Sequence, residues 1–495
     1  MEDNQGKLAK ADIPALMREA FTHQQAGRLG EAEQLCNRVL SIDPDHAEAY
    51  NLLGIIASSI GRKDIAIELI GRAIRLSPEN SHFYNNLGIL FREQNKLKEA
   101  DLVYERAIRL APDSPDIYSN WGETLAEMDR LEEAVGHYKS ALALKPDSPE
   151  AFNNLGVAYR SLNRMADALS TFEHAKQHAP DHADIRWNLA YSLLLSGRFA
   201  EGWVEHEWRW KTPAAQPHGL SLPLWDGSDF RGQNLLLHAE QGFGDSIQFI
   251  RYAPMVKARG GTVLLTCPPE LYRLFRHAPG IDRVLQQGDD IPPCAWRAPL
   301  MSLPMIFGTE LATVPAKTPY LKPEPASVRE WGKRFADKDT FKVGIAWRGR
   351  PTHKNDRHRS IPIGQFAPML AGPGITVVCL QKDATDEEMA ELGRHSEHVL
   401  NLGKDFTDLA DTAAAMESLD LVITVDTALC HLAGALARPA WTLLPFAPDW
   451  RWLMDRTDSP WYPTMRLYRQ AKRGAWGTTL DRVKKDLSAL LTKPP

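Results

Sequence analysis

The chain has little of what would place it outside ordinary globular proteins. Its 495 residues include five cysteines, Cys36, Cys267, Cys294, Cys379 and Cys430. They are odd in number, scattered, and never spaced C-x-x-C, so a disulfide framework or zinc site has no support and a reducing compartment is expected. Long apolar runs are also missing. The most apolar stretch, 419–445, is interrupted by Asp420, Asp426, His431 and Arg438, unlike the run of about 20 apolar residues that spans a bilayer. The opening MEDNQGKLAKAD has no basic start followed by an apolar stretch, so a cytoplasmic protein without a secretory leader is expected. Nor does one sign of charge dominate. Lys and Arg number 58 against 63 Asp and Glu, a net charge of -5, which argues against a global nucleic-acid field but permits a local basic patch. With 43% hydrophobic residues the chain is not disordered, and its length calls for two to four domains.

What is present in the first half is a period. Pro44, Pro78, Pro112, Pro146 and Pro180 are each 34 residues apart. Gly54, Gly88, Gly122 and Gly156 keep the same phase, as do Ala32, Ala66, Ala100, Ala134 and Ala168. Thirty-four is the period of the tetratricopeptide repeat, a helix pair that stacks on its neighbours. Proline stops each second helix, because it lacks the amide hydrogen and clashes with the preceding turn. Ile70, Tyr104, Tyr138 and Phe172, four residues after successive alanines, are expected to fill the gap to the next pair. Five full repeats are read at 13–46, 47–80, 81–114, 115–148 and 149–182. A sixth, 183–211, departs from the pattern as a capping repeat. Asn86, Asn120, Asn154 and Asn188 occupy one position of successive first helices. Helix propensity does not explain them. Either they form a carboxamide ladder for an extended polypeptide, offering donors and an acceptor to any backbone, or duplication kept Asn in an N-L-G consensus.

The second half changes character. Of 14 Trp, only Trp121 and Trp187 precede residue 200. A Pro- and Gly-rich stretch, 212–232, reads as a linker. Short apolar runs then alternate with helical stretches, at Leu235–Ala239, Thr262–Cys267, Val284–Gln286 and Ala298–Pro304. After a Pro-rich break come Val343–Trp347, Thr376–Leu380, Val399–Leu402, Leu421–Val425, Ala440–Leu444 and Met465–Tyr468. This pattern predicts parallel sheets covered on both faces, in two lobes at 233–338 and 339–495. Ligand sites of such sheets lie past the carboxyl ends of the strands.

Four strand ends stand out. Glu240-Gln241-Gly242-Phe243-Gly244-Asp245 follows the first run. Its Gly242 and Gly244 allow close approach of a ligand, and Asp245 is either a cleft carboxylate or a helix cap. After Trp347, the residues Arg348, Arg350, His353, Lys354, Arg357, His358 and Arg359 crowd into twelve positions, as an anion site or a solvated loop. Gln381 and Lys382 follow the next strand similarly. Asp426, Thr427, Ala428 and His431 open a small-residue helix whose free amides suit a phosphate. Asp426 is placed for sugar hydroxyls, and His431 either faces the cleft or fills an interface.

Together E-Q-G-x-G-D, the W-R-G…R-H-R-S-I-P loop and D-T-A-x-x-H-L-A-G-A resemble the heptosyltransferase-like glycosyltransferases of family 9, over roughly 225–490. The resemblance implies a GT-B fold of two Rossmann-like lobes after a tetratricopeptide superhelix. It implies an inverting, metal-independent transfer from a nucleotide-sugar. Asp245 falls on that family's base, and Arg357 or Arg359 on its basic loop, with Gly242, Gly244, Arg348, Gln381, Lys382, Asp426, Thr427, Ala428 and His431 as donor-side residues. The layout is similar to bacterial repeat-fused glycosyltransferases proposed to modify flagellin, and analogous to O-linked N-acetylglucosamine transferases. It implies a Ser/Thr acceptor protein held at Asn86, Asn120, Asn154 and Asn188. No cofactor or metal is expected, because the D-x-D triplets at Asp43–Asp45 and Asp337–Asp339 follow no apolar strand. A non-catalytic scaffold, or an enzyme acting on a polysaccharide or lipid-linked glycan, remain the alternatives. The short first lobe argues against a lipid-linked acceptor.

Overall fold

The computed structural model describes residues 12–213, 219–335, 340–353 and 355–492. Asp337–Asp339 and Lys354 lie outside the described residues. The chain forms two compact units, one up to Ile185 and one from Arg186 onward.

In the first unit, helices of 13 and 14 residues alternate, from Ile13–Gln25 and Leu29–Ile42 to Pro149–Ser161 and Met165–His178. Each second helix ends two residues before its proline. The intervening residue is pushed out of the helical region, as at Asp43 (φ -137°, ψ 90°), because a following proline ring disfavours it. The turn inside each repeat carries a residue with positive φ at the same 34-residue spacing: Gly27, Gly61, Asn95, Asp129 and Asn163. Only glycine, or Asn and Asp with short polar side chains, take that conformation readily. The large residues reach the next pair, as Ile70 does with Phe83 and Tyr104 with Ile117, and they close their own pair as well. They lie over the glycine of their own repeat, where a Cβ on Gly88 would stand 2.5 Å from the Tyr104 ring and one on Gly156 would stand 2.6 Å from Phe172. Apolar side chains gather in successive local clusters, such as Ile13, Met17, Cys36 and Leu52, then Tyr50, Ile70, Phe83 and Leu90. Each repeat is thus completed by its neighbours.

The second unit begins within the sixth repeat, at Arg186, so that most of this repeat groups with the α/β portion. Its second helix is cut short at Phe199–His206 and continues as a 3-10 turn, Glu207–Lys211. Two all-parallel sheets follow. The first contains β1 (Asn234–His238), β2 (Thr262–Cys267), β3 (Arg283–Gln286) and β4 (Trp296–Pro299), in the order β3-β2-β1-β4. The second contains β5 (Phe341–Ala346), β6 (Ile375–Cys379), β7 (His398–Asn401), β8 (Leu421–Val425), β9 (Ala440–Leu444) and β10 (Met465–Arg469), in the order β10-β9-β8-β5-β6-β7. The central strands are mostly apolar because helices cover both faces, with exceptions such as Asn234 and His238 at the ends of β1 and Lys342 in β5. The apolar run Ala298–Pro304 leaves the sheet at Pro299 and turns helical from Leu300. The stretch read as a linker is in part structural. Trp225 and Phe230 are buried, and the Trp225 amide donates to Arg297 O at 2.8 Å beside β4. Strand order reverses between β1 and β4 in one sheet and between β5 and β8 in the other, and such reversals open a crevice at the carboxyl ends.

Candidate functional site

Both crevices receive sequence-predicted residues, and they face each other within the second unit. After β1 the chain enters the helix Phe243–Phe249. Asp245, at its third position, turns back so that Oδ2 accepts the Gly242 amide at 2.8 Å. This is a cap, and it fixes the carboxylate at the mouth of the turn. After β8, Thr427 caps the helix Ala428–Ala435, its hydroxyl accepting the Leu429 amide at 3.4 Å. The first turns of the two helices pack together. A Cβ on Gly244 would stand 2.8 Å from His431 Cδ2 and 3.5 Å from Ala428 Cα. Gly244 is therefore needed for helix-to-helix approach across the crevice. Gly242, with φ -89°, needs no glycine for its backbone.

His431 fills that interface and does not open onto the cleft. It is buried, its Nδ1 lies 2.9 Å from the Tyr462 hydroxyl, and its ring stacks on Trp452 at 5.3 Å. Burial first, then the cations Arg451, Arg251 and Arg359, push its pKa well below the ordinary histidine value. The imidazole is neutral at physiological pH. Asp426, at the end of β8, is pushed up to about 6 by burial and by the neighbouring Asp449 carboxylate, against the opposing pull of Arg359.

The basic loop after β5 divides by partner. Arg348 is committed to a structural ion pair: Nε donates to Glu388 Oε1 at 3.0 Å and Nη1 to Asp383 Oδ2 at 2.5 Å. It ties β5 to the start of the helix Asp386–His395, and its expected place on a donor is taken by these carboxylates. Arg357 is exposed and donates to His358 at 2.9 Å. Arg359 is the basic residue that reaches the β8 turn. Its Nη1 donates to the Asp426 carbonyl at 2.9 Å and its Nε to Asp356 Oδ1 at 3.3 Å. Gln381 and Lys382 sit past β6, one strand away from the reversal. They donate to Asp383 Oδ1 at 2.6 Å and to Thr407 O at 3.2 Å.

Four residues that the sequence reading passed over complete the centre. Past β9 the chain runs Asp449-Trp450-Arg451-Trp452. Arg451 is buried and crosses to the first lobe, where it pairs with Asp245 Oδ1 and its Nε donates to Gln248 Oε1 at 2.5 Å. Its Nη1 donates to Asp449 Oδ1 at 2.9 Å. The visible signal was an acid and an arginine among tryptophans directly after a predicted strand. On the other side, Glu240 Oε2 accepts Arg209 Nε at 2.9 Å, which anchors the β1 turn to the sixth repeat. Asp426, Cys430 and His431 could each turn one ligand atom toward a cation, all within 4.8 Å of one another. Two of the three side chains already have partners: Cys430 Sγ donates to Thr427 O at 2.9 Å, and His431 Nδ1 lies 2.9 Å from the Tyr462 hydroxyl.

In the first unit, each described ladder residue braces one repeat to the preceding one. Asn86 Nδ2 donates to Asn51 Oδ1 at 2.9 Å, Asn120 Nδ2 to Asn85 Oδ1 at 3.0 Å, and Asn154 Nδ2 to Glu123 Oε1 at 2.9 Å. Asn188 lies in the helix Ala183–Leu195 of the sixth repeat, where its carbonyl accepts the Ser192 hydroxyl at 2.9 Å. Among the described residues no helix is long and apolar enough to cross a membrane.

Tetratricopeptide-repeat profiles match residues 23–88, 90–129, 122–163 and 149–182. The profile of glycosyltransferase family 9 (heptosyltransferase) matches residues 367–448, which include the Asp426–His431 turn. Protein FlbA of Caulobacter vibrioides is 31% identical over 318 residues, covering 59% of this chain and 52% of that protein. The chain thus spans about half the length of this curated relative. Among solved structures, a tetratricopeptide protein of Thermus thermophilus is 25% identical, with 37% of this chain and 99% of that one covered and a TM-score of 0.33. MamA is 24% identical, with 32% and 94% covered and a TM-score of 0.30. Tetratricopeptide repeats in the first half are thus followed by a region similar, over residues 367–448, to glycosyltransferase family 9.

Proposed function

We propose that the protein transfers a sugar from a nucleotide-sugar, with inversion and without a metal, to a Ser or Thr hydroxyl of a polypeptide held by the repeats. The observation that carries this reading is the convergence at the facing crevices of Asp245, Arg451, Arg359 and Asp426 within a GT-B-like pair of parallel sheets. Asp245 takes the proton of the acceptor hydroxyl. A carboxylate has about four lone-pair sites, and the Gly242 amide and Arg451 use two, so room remains for the hydroxyl. The acceptor oxygen then bonds to the anomeric carbon as the bond to the nucleoside diphosphate breaks, and that electron pair leaves with the diphosphate. The leaving charge needs fixed positive groups in a site that excludes water. Arg359 and the amides at Thr427 and Ala428 supply them, while Asp426 holds sugar or ribose hydroxyls.

The repeats select the acceptor through the carboxamides at Asn86, Asn120, Asn154 and Asn188, and flagellin is the first acceptor to try. The purified full chain is incubated with UDP-, GDP- and ADP-linked sugars and a candidate acceptor protein, and the acceptor is weighed by mass spectrometry. A sugar mass on Ser or Thr, lost in Asp245→Asn, supports the reading. Donor turnover onto glycan but never onto protein would move the acceptor to a polysaccharide, and no turnover with any donor would leave a binding scaffold.

A further inference from the structure

Resting on that reading, we infer that Arg451 is a positioning residue that acts through Asp245, holding the base carboxylate in its acceptor-facing orientation from the opposite lobe. The guanidinium is buried and its fork is spent in three directions: Nη2 on Asp245, Nε on Gln248, and Nη1 on Asp449. Two of these partners belong to the helix Phe243–Phe249 of the first lobe, and the third is its own-lobe neighbour. The group's flat faces are held as well. Its central carbon lies 4.3 Å from the Trp450 ring centre and 5.8 Å from that of Phe249. A guanidinium fixed on two edges and by aromatic rings has one orientation, and it gives the carboxylate one as well.

The chemistry needs this placement. With Oδ2 capped by Gly242, a carboxylate free at Oδ1 could rotate toward solvent. A cation against Oδ1 stops that rotation. Because Arg451 stands 206 residues from Asp245 and in the other lobe, the base is in register only when the lobes meet. Chemistry is thereby tied to closure around the substrates, as expected of sites completed by domain motion.

The test uses the full chain, the UDP-, GDP- or ADP-linked sugar that turns over, and a Ser/Thr acceptor protein. Arg451→Ala is expected to lower kcat about 100-fold or more, the scale of losing a positioned general base, with the donor KM changed less than about threefold. Guanidinium ion at millimolar concentration should restore about tenfold of that loss, while neutral urea at the same concentration restores none, because the missing element is a charged fork. Arg451→Lys, which keeps a buried cation but loses the fork, should fall between wild type and Arg451→Ala and serves where the alanine variant does not fold. An unchanged kcat, a loss carried wholly by KM, or equal rescue by urea would overturn the inference while leaving Asp245→Asn inactive and the transferase reading intact. An inactive wild-type chain overturns the transferase reading and takes this inference with it.

Discussion

Replacing Trp203 with alanine tests whether the sixth repeat is part of the α/β unit's stability. Trp203 is 2% exposed. Its ring meets Trp450 edge-on at 5.3 Å, Phe199 at 5.5 Å and Phe249 at 6.3 Å, and its Nε1 donates to Thr309 O at 2.9 Å. Truncating a buried aromatic costs about 3–5 kcal/mol in lost transfer and residual cavity. Leaving the Thr309 carbonyl unpaired adds to the upper part of that range. A loss of about 4 kcal/mol is a large share of the roughly 5–15 kcal/mol that holds a domain together. The unit from Arg186 onward has roughly 310 residues, and at about 2.1 cal/mol/K per residue its melting temperature should fall by about 6 °C. Calorimetry of the full chain reads this, with the array transition as an internal control. If the array transition falls instead, or the α/β transition moves by less than about 2 °C, the repeat is not built into the lobes in the way described.

Three further outcomes are expected. Gly156→Ala places a Cβ against the Phe172 ring, and overpacking should cost the array about 1–3 kcal/mol. Gly136→Ala, in a helix with open space around it, should stabilise it by about 0.5–1 kcal/mol, and thermal melts compare the two. Asp426 has a folded-state pKa raised to about 6 from 3.8. The folded state therefore binds more protons than the unfolded one between about pH 4 and 6, and stability falls as pH rises through that window. Asp426→Asn should remove this slope, so its melting temperature should gain on wild type at pH 7.5 relative to pH 4; equal gains at both would refute the assignment. Asn120→Ala should weaken the array by about 1 kcal/mol, because the carboxamide bonds Asn85 of the preceding repeat. A ladder variant with lower acceptor affinity must therefore be shown still folded by circular dichroism before the affinity is read as contact loss.

The legible part of the fold was the part written locally. A proline that stops a helix, and a glycine that admits an aromatic ring sixteen residues on, act over one repeat, so their spacing could be counted. The positive-φ turn was equally periodic but harder to see. Gly27, Gly61, Asn95, Asp129 and Asn163 share a backbone requirement and not a residue identity. The ten strand-like runs were visible for a similar reason, since a strand covered on both faces is apolar over most of its length. The site was legible only in outline. Asp245 and Asp426 follow strands and could be singled out from strand ends alone. The basic loop shows what that reading lacks. Its arginines look equivalent in sequence, yet Glu388, forty residues on, immobilises Arg348, while the Asp426 carbonyl holds Arg359 at the β8 turn. Composition counts charges but does not pair them, and a buried arginine's role is decided by the group its fork meets. Arg451 carries the point furthest. It lies outside the basic cluster, in a tryptophan-rich turn, and contact with Asp245 exists only after two sheets of different sequence have folded and met. Strand-end reading thus finds a cleft carboxylate such as Asp245 in its own lobe, while the arginine that grips it from the other lobe is found only once the fold brings them together.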